Sequence, residues 1–327
     1  MLLNHLESGI TTSMMILRKG KLNEKLDNRR KVRVITLYPI THRFGVANDF
    51  VGESLLSMML ARFPFRAEQD WETRIIDGKV GVNDTTANPN YTLKVGDKVF
   101  HHNPAVIEPS VPDEIRILVE TEDYLAVFKP APLPMHPGGR YNKNTLTWML
   151  EDMGYKDLKI VHRLDAVTSG IVLFGKTKAF AQKAMLCFAQ DKVQKTYYAL
   201  VSGVPAQPGI TIDLPIKRKT GFVFESKLGL EAGKESQTKF TVMDRGTSSA
   251  LIKCEPITGR THQIRLHLES WGHPIIDDPI YGIGGDKSSK KAQNIGISLI
   301  SSGLEIKELG VHLSTEIPEE WKNRHKM

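Results

Sequence analysis

Short apolar runs of strand length recur along most of this chain, whereas helical segments are few. The strand-like runs lie at 115–119, 124–129, 170–174, 197–202, 239–243 and 250–255. Two other segments, 178–190 and 261–271, carry apolar residues at helical spacing. Many strands in mixed order with few helices predict an α+β domain built on an antiparallel or mixed sheet.

The chain is long enough to hold one large domain and a smaller one, because its 327 residues exceed most single domains. The predicted parts are a basic arm over 1–43, a small module over 44–102, a proline-rich linker over 103–112 and a large domain over 113–327. In the small module we expect a helix over 52–65 and strands over 75–83 and 93–99. A loop rich in Gly, Ser and Lys is predicted at 283–294.

The positive charge of the chain is concentrated near its beginning. The formal net charge is +7, and residues 18–33 hold eight Lys and Arg against Glu24 and Asp27, which leaves +6 in that segment. A basic arm that contacts RNA phosphates and a merely solvated tail both fit this distribution.

Composition argues against membrane insertion, secretion and a bound cofactor. No apolar run approaches the ~20 residues that cross a bilayer, and the N-terminus lacks a secretory signal pattern. Cys187 and Cys254 lie in apolar patterns and are expected to be reduced buried thiols of a cytoplasmic protein. Neither zinc-ligand spacing nor a glycine-rich nucleotide loop occurs, so we expect no metal and no cofactor.

Polar chemistry is crowded into 161–170, which reads Val-His-Arg-Leu-Asp-Ala-Val-Thr-Ser-Gly. This is too polar for a segment whose only role is packing. Two further motifs follow in the chain, Lys-Thr-Tyr at 195–197 and Thr-Gly-Arg-Thr-His-Gln-Ile-Arg-Leu-His at 258–267. Together, in this order, they resemble the pseudouridine synthases of the large-subunit ribosomal A type (RluA-like). The resemblance covers roughly 113–282 and implies a long bent sheet flanked by helices, with a central active-site cleft.

The resemblance also implies roles for individual residues. It makes Asp165 the catalytic carboxylate, Tyr197 the aromatic that stacks on the target base, and Arg265 the cation that keeps the carboxylate ionised. Whether Asp165 attacks the sugar, adds to the base or stabilises a glycal intermediate stays open. A structural Arg–Asp pair is the alternative for Asp165 and Arg265.

Further residues of the motifs are expected to bind the substrate or to support the site. Arg163 corresponds to the side chain that fills the gap left by a flipped nucleotide, its alternatives being a phosphate contact or a salt bridge. Leu266 either lines the pocket or packs in the core. His162 and Thr168 are the remaining predicted substrate-binding residues, and His262, Gln263 and His267 are expected in supporting positions.

The small module resembles the RNA-binding domain of the ribosomal-protein S-four type, through the pattern at 75–83 and 93–99. The usual basic first helix is absent, and Glu68, Asp70 and Glu72 stand where cations are expected. RNA binding and a purely structural role both stay open for this module. The C-terminal flank also departs from the family, because the apolar segment 296–300 lacks the usual histidine.

The function predicted from these observations is an RNA pseudouridine synthase, an isomerase that acts on uridines of ribosomal or transfer RNA and works as a monomer. The alternative is a non-catalytic RNA-binding or ribosome-assembly protein that retains the fold. A hydrolase triad of His162, Asp165 and Ser169 is disfavoured, because no nucleophile-elbow pattern surrounds Ser169.

Overall fold

The computed structural model of the protein describes residues 32–286 and 295–324. Residues 31–327 cluster as one compact unit. Most of the predicted basic arm and most of the predicted loop at 283–294 lie outside the described residues.

The described secondary structure is as follows. The helices are α1 (Leu55–Arg62), α2 (Glu68–Ile76), α3 (Leu146–Asp152), α4 (Lys178–Ala189), α5 (Gln263–Ser270) and α6 (Glu319–Arg324). The strands are β1 (Val32–Arg33), β2 (Tyr38–Gly45), β3 (Val80–Val82), β4 (Thr85–Thr86), β5 (Lys98–Val106), β6 (Val111–Pro112), β7 (Arg116–Glu120), β8 (Tyr124–Lys129), β9 (Lys159–Ile160), β10 (Ser169–Gly175), β11 (Gln194–Ser202), β12 (Gly209–Asp213), β13 (Ile216–Thr220), β14 (Val223–Ser226), β15 (Gln237–Arg245), β16 (Ser249–Pro256), β17 (Leu299–Ile306) and β18 (Val311–Ser314).

A ten-stranded sheet forms the large domain. Its strand order is β12-β15-β16-β11-β17-β10-β8-β7, with β18 beside β17 and β9 beside β10. The described pairs of this sheet are antiparallel except β10 with β17, which run parallel. The predicted α+β class with a mixed, mostly antiparallel sheet is therefore confirmed.

Strand β10 is buried on both faces, which explains its continuous apolar run. Ile171 and Leu173 belong to the apolar cluster that includes buried residues of α4. Val172 and Phe174 point the other way, into the cluster that includes buried residues of α3. Since side chains alternate across a strand, helices on opposite faces fix the position of β10 in the middle of the sheet.

The small module has its own sheet and its own core. The sheet order is β2-β5-β3-β4, and α1 and α2 bury Met58, Trp71 and Ile75 in a cluster with residues of the strands. The predicted strand over 75–83 starts too early, because Trp71 and Ile75, spaced by four, form the buried stripe of α2. The sheet also extends beyond 44–102 on both sides, from Tyr38 to Val106.

The segment between the two sheets is tied to the large domain by a buried carboxylate. The Glu108 side chain accepts backbone N–H bonds from Asn142 (2.9 Å), Lys143 (2.9 Å) and Asn144 (2.8 Å), and the Tyr38 hydroxyl donates to it. Burial alone would raise the pKa of Glu108, but these donors hold that pKa below its usual value. In the described part of the chain, no helix is long and apolar enough to cross a bilayer.

Candidate active site

The three polar motifs meet around one cleft of about 560 Å³ in the large domain. Its walls come from 161–168, from Lys195 and Tyr197 on β11, from 256–265, and from 134–136. The convergence follows from the strand order, because β17 alone separates β10 from β11. The segment just before β10 and the first half of β11 therefore face each other across the cleft.

A glycine allows the loop that carries Asp165 to enter β10 beside β17. Gly170 has φ +117°, and a Cβ atom there would lie 2.1 Å from the carbonyl oxygen of Ser301. Only glycine fits this close parallel approach. Ahead of it, the Thr168 N–H donates to the Asp165 carbonyl at 3.1 Å and closes a turn. This turn presents the Asp165 side chain to the cleft.

The Asp165 carboxylate is partly open and has two basic groups beside it. Its side chain is 30% exposed. Arg265 Nη1 lies 3.5 Å from Asp165 Oδ2, and His262 Nε2 lies 3.8 Å from the same oxygen. The guanidinium and the imidazole therefore both face this one oxygen. The remainder of the carboxylate is free to face a ligand in the cleft.

Arg265 is itself fixed by a second, buried carboxylate. Its Nε donates to Asp278 Oδ2 at 2.7 Å and its Nη2 to Asp278 Oδ1 at 2.8 Å, and the exposed side-chain fractions are 2% and 0%. Burial opposes the charge of Arg265, but the bonds and charge of Asp278 outweigh it and raise the Arg265 pKa. This bidentate pair orients the guanidinium so that Nη1 points at Asp165.

Asp278 remains ionised although it is buried. Burial would raise its pKa, but the Arg265 bonds and the N–H groups of Ile280 (3.0 Å) and Tyr281 (3.1 Å) lower it. The guanidinium carbon of Arg265 lies 4.9 Å from the centre of the Tyr281 ring. Asp278, Arg265 and Asp165 thus form a row of alternating charge that runs from the core to the cleft.

His262 is held in the cleft by a hydrogen bond to Tyr281. The Phe224 N–H donates to the Tyr281 hydroxyl at 2.9 Å, and that hydroxyl lies 2.9 Å from His262 Nδ1. The bond at Nδ1 leaves Nε2, the other ring nitrogen, facing Asp165 at 3.8 Å. Burial lowers the pKa of His262 and keeps the ring neutral, against the opposing charge of Asp165.

His262 lies just outside the observed helix. It has left-handed backbone geometry with φ 58° and precedes α5, which begins at Gln263. The helix therefore begins two residues after the start of the predicted segment 261–271, with His262 before it and Arg265 on it. Both side chains still reach Asp165, because the turn before α5 directs the imidazole ring into the cleft.

Tyr197 occupies the wall of the cleft beside the Asp165 loop. Its residue pairs with Cys254 on β16 and with Ser301 on β17, next to an irregularity in the register. Burial raises the pKa of the phenol to about 12, so it remains protonated. Its neighbour Tyr198 packs against a separate apolar cluster with Leu200 and Ile300.

Two predicted substrate-binding residues of the first motif differ in exposure. Arg163 is exposed at the cleft. His162 lines the cleft but accepts the Leu173 N–H at Nε2 (2.9 Å) and stacks on Phe188 with ring centres 4.7 Å apart. Burial lowers the His162 pKa to about 3. The neutral ring thus joins the motif to β10.

The other two predicted substrate-binding residues are buried. Thr168 is 3% exposed and lies at the base of the cleft. Leu266 is 2% exposed and packs with Ile216, Ile280 and Tyr281. It lies outside the described lining of the cleft, which favours the alternative of a core leucine.

The supporting residues of the third motif fix the loop in front of α5. Gln263 accepts hydrogen bonds from Thr258 Oγ1 (2.7 Å) and from the Arg260 N–H (2.9 Å). Lys195 Nζ donates to the Thr258 carbonyl at 3.0 Å from across the cleft. Burial lowers the Lys195 pKa to about 8. His267 Nδ1 lies 2.9 Å from Thr238 Oγ1 on β15.

Three residues of the site were missed by the sequence reasoning. Asp278 and Tyr281 stand in a segment, 273–282, whose polar residues between prolines were a usable signal. Lys129, at the end of β8, is fully buried, and its Nζ donates to the carbonyls of Leu133 (2.9 Å) and Ala166 (3.2 Å). Burial lowers the Lys129 pKa to about 7, while the charge of Asp165 raises it. Lys129 thus links the Asp165 loop to the 130–136 segment.

Comparisons with known proteins identify the family of the chain. Residues 123–270 match the family model described as RNA pseudouridylate synthase. RNA pseudouridine synthase 7 of Arabidopsis thaliana is 32% identical over 288 residues, which cover 83% of this chain and 72% of the plant protein. The mitochondrial tRNA pseudouridine(32) synthase of Saccharomyces cerevisiae is 30% identical, and the alignment covers 76% of this chain and 55% of the yeast protein.

A solved structure shares the fold. Human RNA Pseudouridylate Synthase Domain Containing 1 superposes with a TM-score of 0.55 at 27% identity, covering 65% of this chain and 87% of the human chain. The chain belongs to the RNA pseudouridine synthases. Its class is therefore that of an isomerase acting on RNA.

Proposed function

We propose that this protein converts specific uridines of ribosomal or transfer RNA to pseudouridine, with Asp165 as the catalytic carboxylate. The observation that carries the proposal is the partly open carboxylate of Asp165, with Arg265 Nη1 at 3.5 Å and Tyr197 on the same cleft wall. A pure RNA binder has no need of a carboxylate that faces a polyanion.

The reaction needs only groups that the cleft can supply. The C1′–N1 bond of uridine breaks, the uracil turns, a C1′–C5 bond forms, and C5 loses its hydrogen as a proton while N1 gains one. Atoms and electrons balance without a donor or an oxidant. Asp165 has one of three roles: attack at C1′, addition to the base, or stabilisation of a glycal intermediate. In each of them the Arg265 guanidinium, with Nη1 3.5 Å away, is the charge that faces the reacting carboxylate.

The uridine must leave its stack to reach Asp165. Tyr197 is suited to hold the detached uracil, since stacking on an aromatic face restrains a ring while allowing it to turn. Arg163, exposed at the cleft, is proposed to occupy the gap in the RNA. Thr168 is proposed to bound the base of the pocket, and His162 to position the loop.

The substrate class and the compartment are proposed from the name of one relative and from the cysteines of this chain. The yeast relative is named for a position in transfer RNA and for mitochondria. For this chain we propose ribosomal or transfer RNA as substrate, a monomeric state, and the cytoplasm as compartment. The buried free thiols of Cys187 and Cys254 support a reducing compartment.

The test is pseudouridine mapping in total RNA. RNA from cells that lack the gene is treated with the purified full-length protein, and mapped before and after treatment. We expect a small set of uridines to be converted, and the same set to be modified in cells that carry the gene. RNA that is bound tightly but gains no pseudouridine would contradict the proposal and favour the non-catalytic RNA-binding alternative.

A further inference from the structure

The β13–β14 hairpin has an anchored base and an exposed tip. Ile216 and Val223 are buried, and Ile216 packs with Leu266 of α5 and with Tyr281. All six tip residues, 217–222, are exposed. A two-stranded hairpin alone is marginally stable in water. Its contacts with the active-site wall therefore hold the tip in position.

The tip combines cations with an exposed aromatic ring. Between Asp213 and Glu225 the chain has Lys217, Arg218 and Lys219 and no acidic residue, and Phe222 is 68% exposed. Lys217 is already engaged, because it pairs in register with Glu225 and donates to the Glu231 carbonyl at 3.2 Å. Arg218, Lys219 and Phe222 are the remaining charged and aromatic residues of the exposed tip.

A row of ring contacts connects this tip to Asp165. The guanidinium carbon of Arg218 lies 5.3 Å from the centre of the Phe224 ring. Phe224 in turn lies 5.2 Å from His262, edge to face, and His262 Nε2 lies 3.8 Å from Asp165. The hairpin therefore lies on the His262 side of the cleft, three side-chain contacts from Asp165.

We propose that the hairpin tip binds single-stranded RNA beside the target uridine, with Arg218 and Lys219 on phosphates and Phe222 stacked on a flanking base. The inference rests on the proposed function and names a contact of the same site. Exposed cations interleaved with an aromatic ring match both features of a single strand, its charged backbone and its π-faces.

The experiment measures binding of a fluorescein-labelled twelve-nucleotide oligouridine to the full-length protein, as a function of salt. For the Arg218→Ala/Lys219→Ala variant we expect about tenfold weaker binding, with the slope of log K against log salt smaller by about 1.4. Phe222→Ala is expected to weaken binding about tenfold without changing the slope. The matched control is Lys178→Ala/Lys183→Ala on α4, which removes the same charge from exposed positions.

A second readout separates this proposal from the proposed function. Pseudouridine formation at subsaturating total RNA should fall by about tenfold in the hairpin variants, in step with their lost affinity, and should stay at the wild-type rate in Lys178→Ala/Lys183→Ala. Thermal melting checks that each variant is folded. Hairpin variants that bind like wild type, or a control that loses as much affinity, would overturn the hairpin contact. A wild-type protein that binds the oligouridine but makes no pseudouridine would instead overturn the proposed function.

Discussion

Two Arg–Asp pairs of this protein join the same residue types in opposite surroundings. Arg265 and Asp278 are 2% and 0% exposed, form two hydrogen bonds, and stand behind Asp165. Arg43 and Asp84 are 58% and 72% exposed and share one bond of 3.0 Å on the small module. A buried pair costs desolvation and is strongly destabilising when broken, whereas an exposed pair is worth little.

The two pairs differ in whether the arginine has a fixed direction. Burial and two bonds to Asp278 fix the direction of the Arg265 guanidinium, which leaves one nitrogen facing Asp165. The Arg43–Asp84 pair has no such consequence within the described structure. The substitutions below test this contrast, beginning with the largest expected effect.

Asp165→Asn keeps the shape of the side chain and removes the charge that Arg265 faces. Pseudouridine formation should fall by about 1,000-fold or more, because the reacting carboxylate is lost. RNA affinity and the melting temperature should stay close to those of wild type. The measurement is single-turnover conversion of RNA at saturating enzyme. A rate near wild type would show that Asp165 is a structural partner of Arg265.

Asp278→Asn tests the buried pair. The free energy of unfolding should fall by about 3 kcal/mol, since a buried guanidinium loses its counter-charge. In the fraction that remains folded, kcat should fall about 10- to 100-fold with KM little changed, because Arg265 no longer points at Asp165. Asp84→Asn is the matched control, and its unfolding free energy should change by less than about 0.5 kcal/mol. Equal losses of unfolding free energy in Asp278→Asn and Asp84→Asn would contradict the expected difference between the buried and the exposed pair.

His162→Gln tests the buried histidine of the first motif. Its folded-state pKa is about 3, below the unfolded value near 6.5, so the unfolded chain binds more protons between these values. The contribution of neutral His162 to the free energy of unfolding is therefore complete above pH 6.5. It falls by about 1.4 kcal/mol for each pH unit below that value. Glutamine retains an acceptor for the Leu173 N–H.

Chemical unfolding between pH 7 and 4.5 measures this contribution. The His162→Gln variant should show a flatter decline of the free energy of unfolding with falling pH than wild type. An unaltered decline in His162→Gln would mean that the ring is protonated at no cost.

Tyr281→Phe removes one hydroxyl and retains the ring against Arg265. His262 Nδ1 then loses its hydrogen-bond partner and the Phe224 N–H its acceptor, so kcat should fall about fivefold, with a changed pH dependence of turnover. Tyr155→Phe is the control, because its hydroxyl bonds to Glu120 at an exposed site (3.2 Å). Turnover with the wild-type pH profile would show that the bond between Tyr281 and His262 is unimportant for the reaction.

The sequence predicted those parts of the fold and site that depend on local pattern. The strands at 124–129 and 170–174 and the helix at 178–190 follow from apolar runs and helical spacing, and they are present almost as predicted. The motifs identified Asp165, Tyr197 and Arg265, and the structure brings all three to one cleft.

What the sequence did not predict depends on contacts between distant segments. Asp278 is recognisable only once Arg265 is seen beside it, and Lys129 resembles any lysine at a strand end until its three carbonyl partners are known. The left-handed turn at His262 has no glycine to indicate it. The parallel pairing of β10 with β17 joins segments about 130 residues apart.

The most direct test of the account follows the C5 hydrogen of uridine. Forming the C1′–C5 bond releases that hydrogen, so RNA made with uridine tritiated at C5 should release tritium to water when treated with the wild-type protein. We expect release equal in amount to the pseudouridine formed, and release at background level with Asp165→Asn. Tritium release at the same rate from both proteins, or no release from RNA that the wild-type protein binds, would contradict the account.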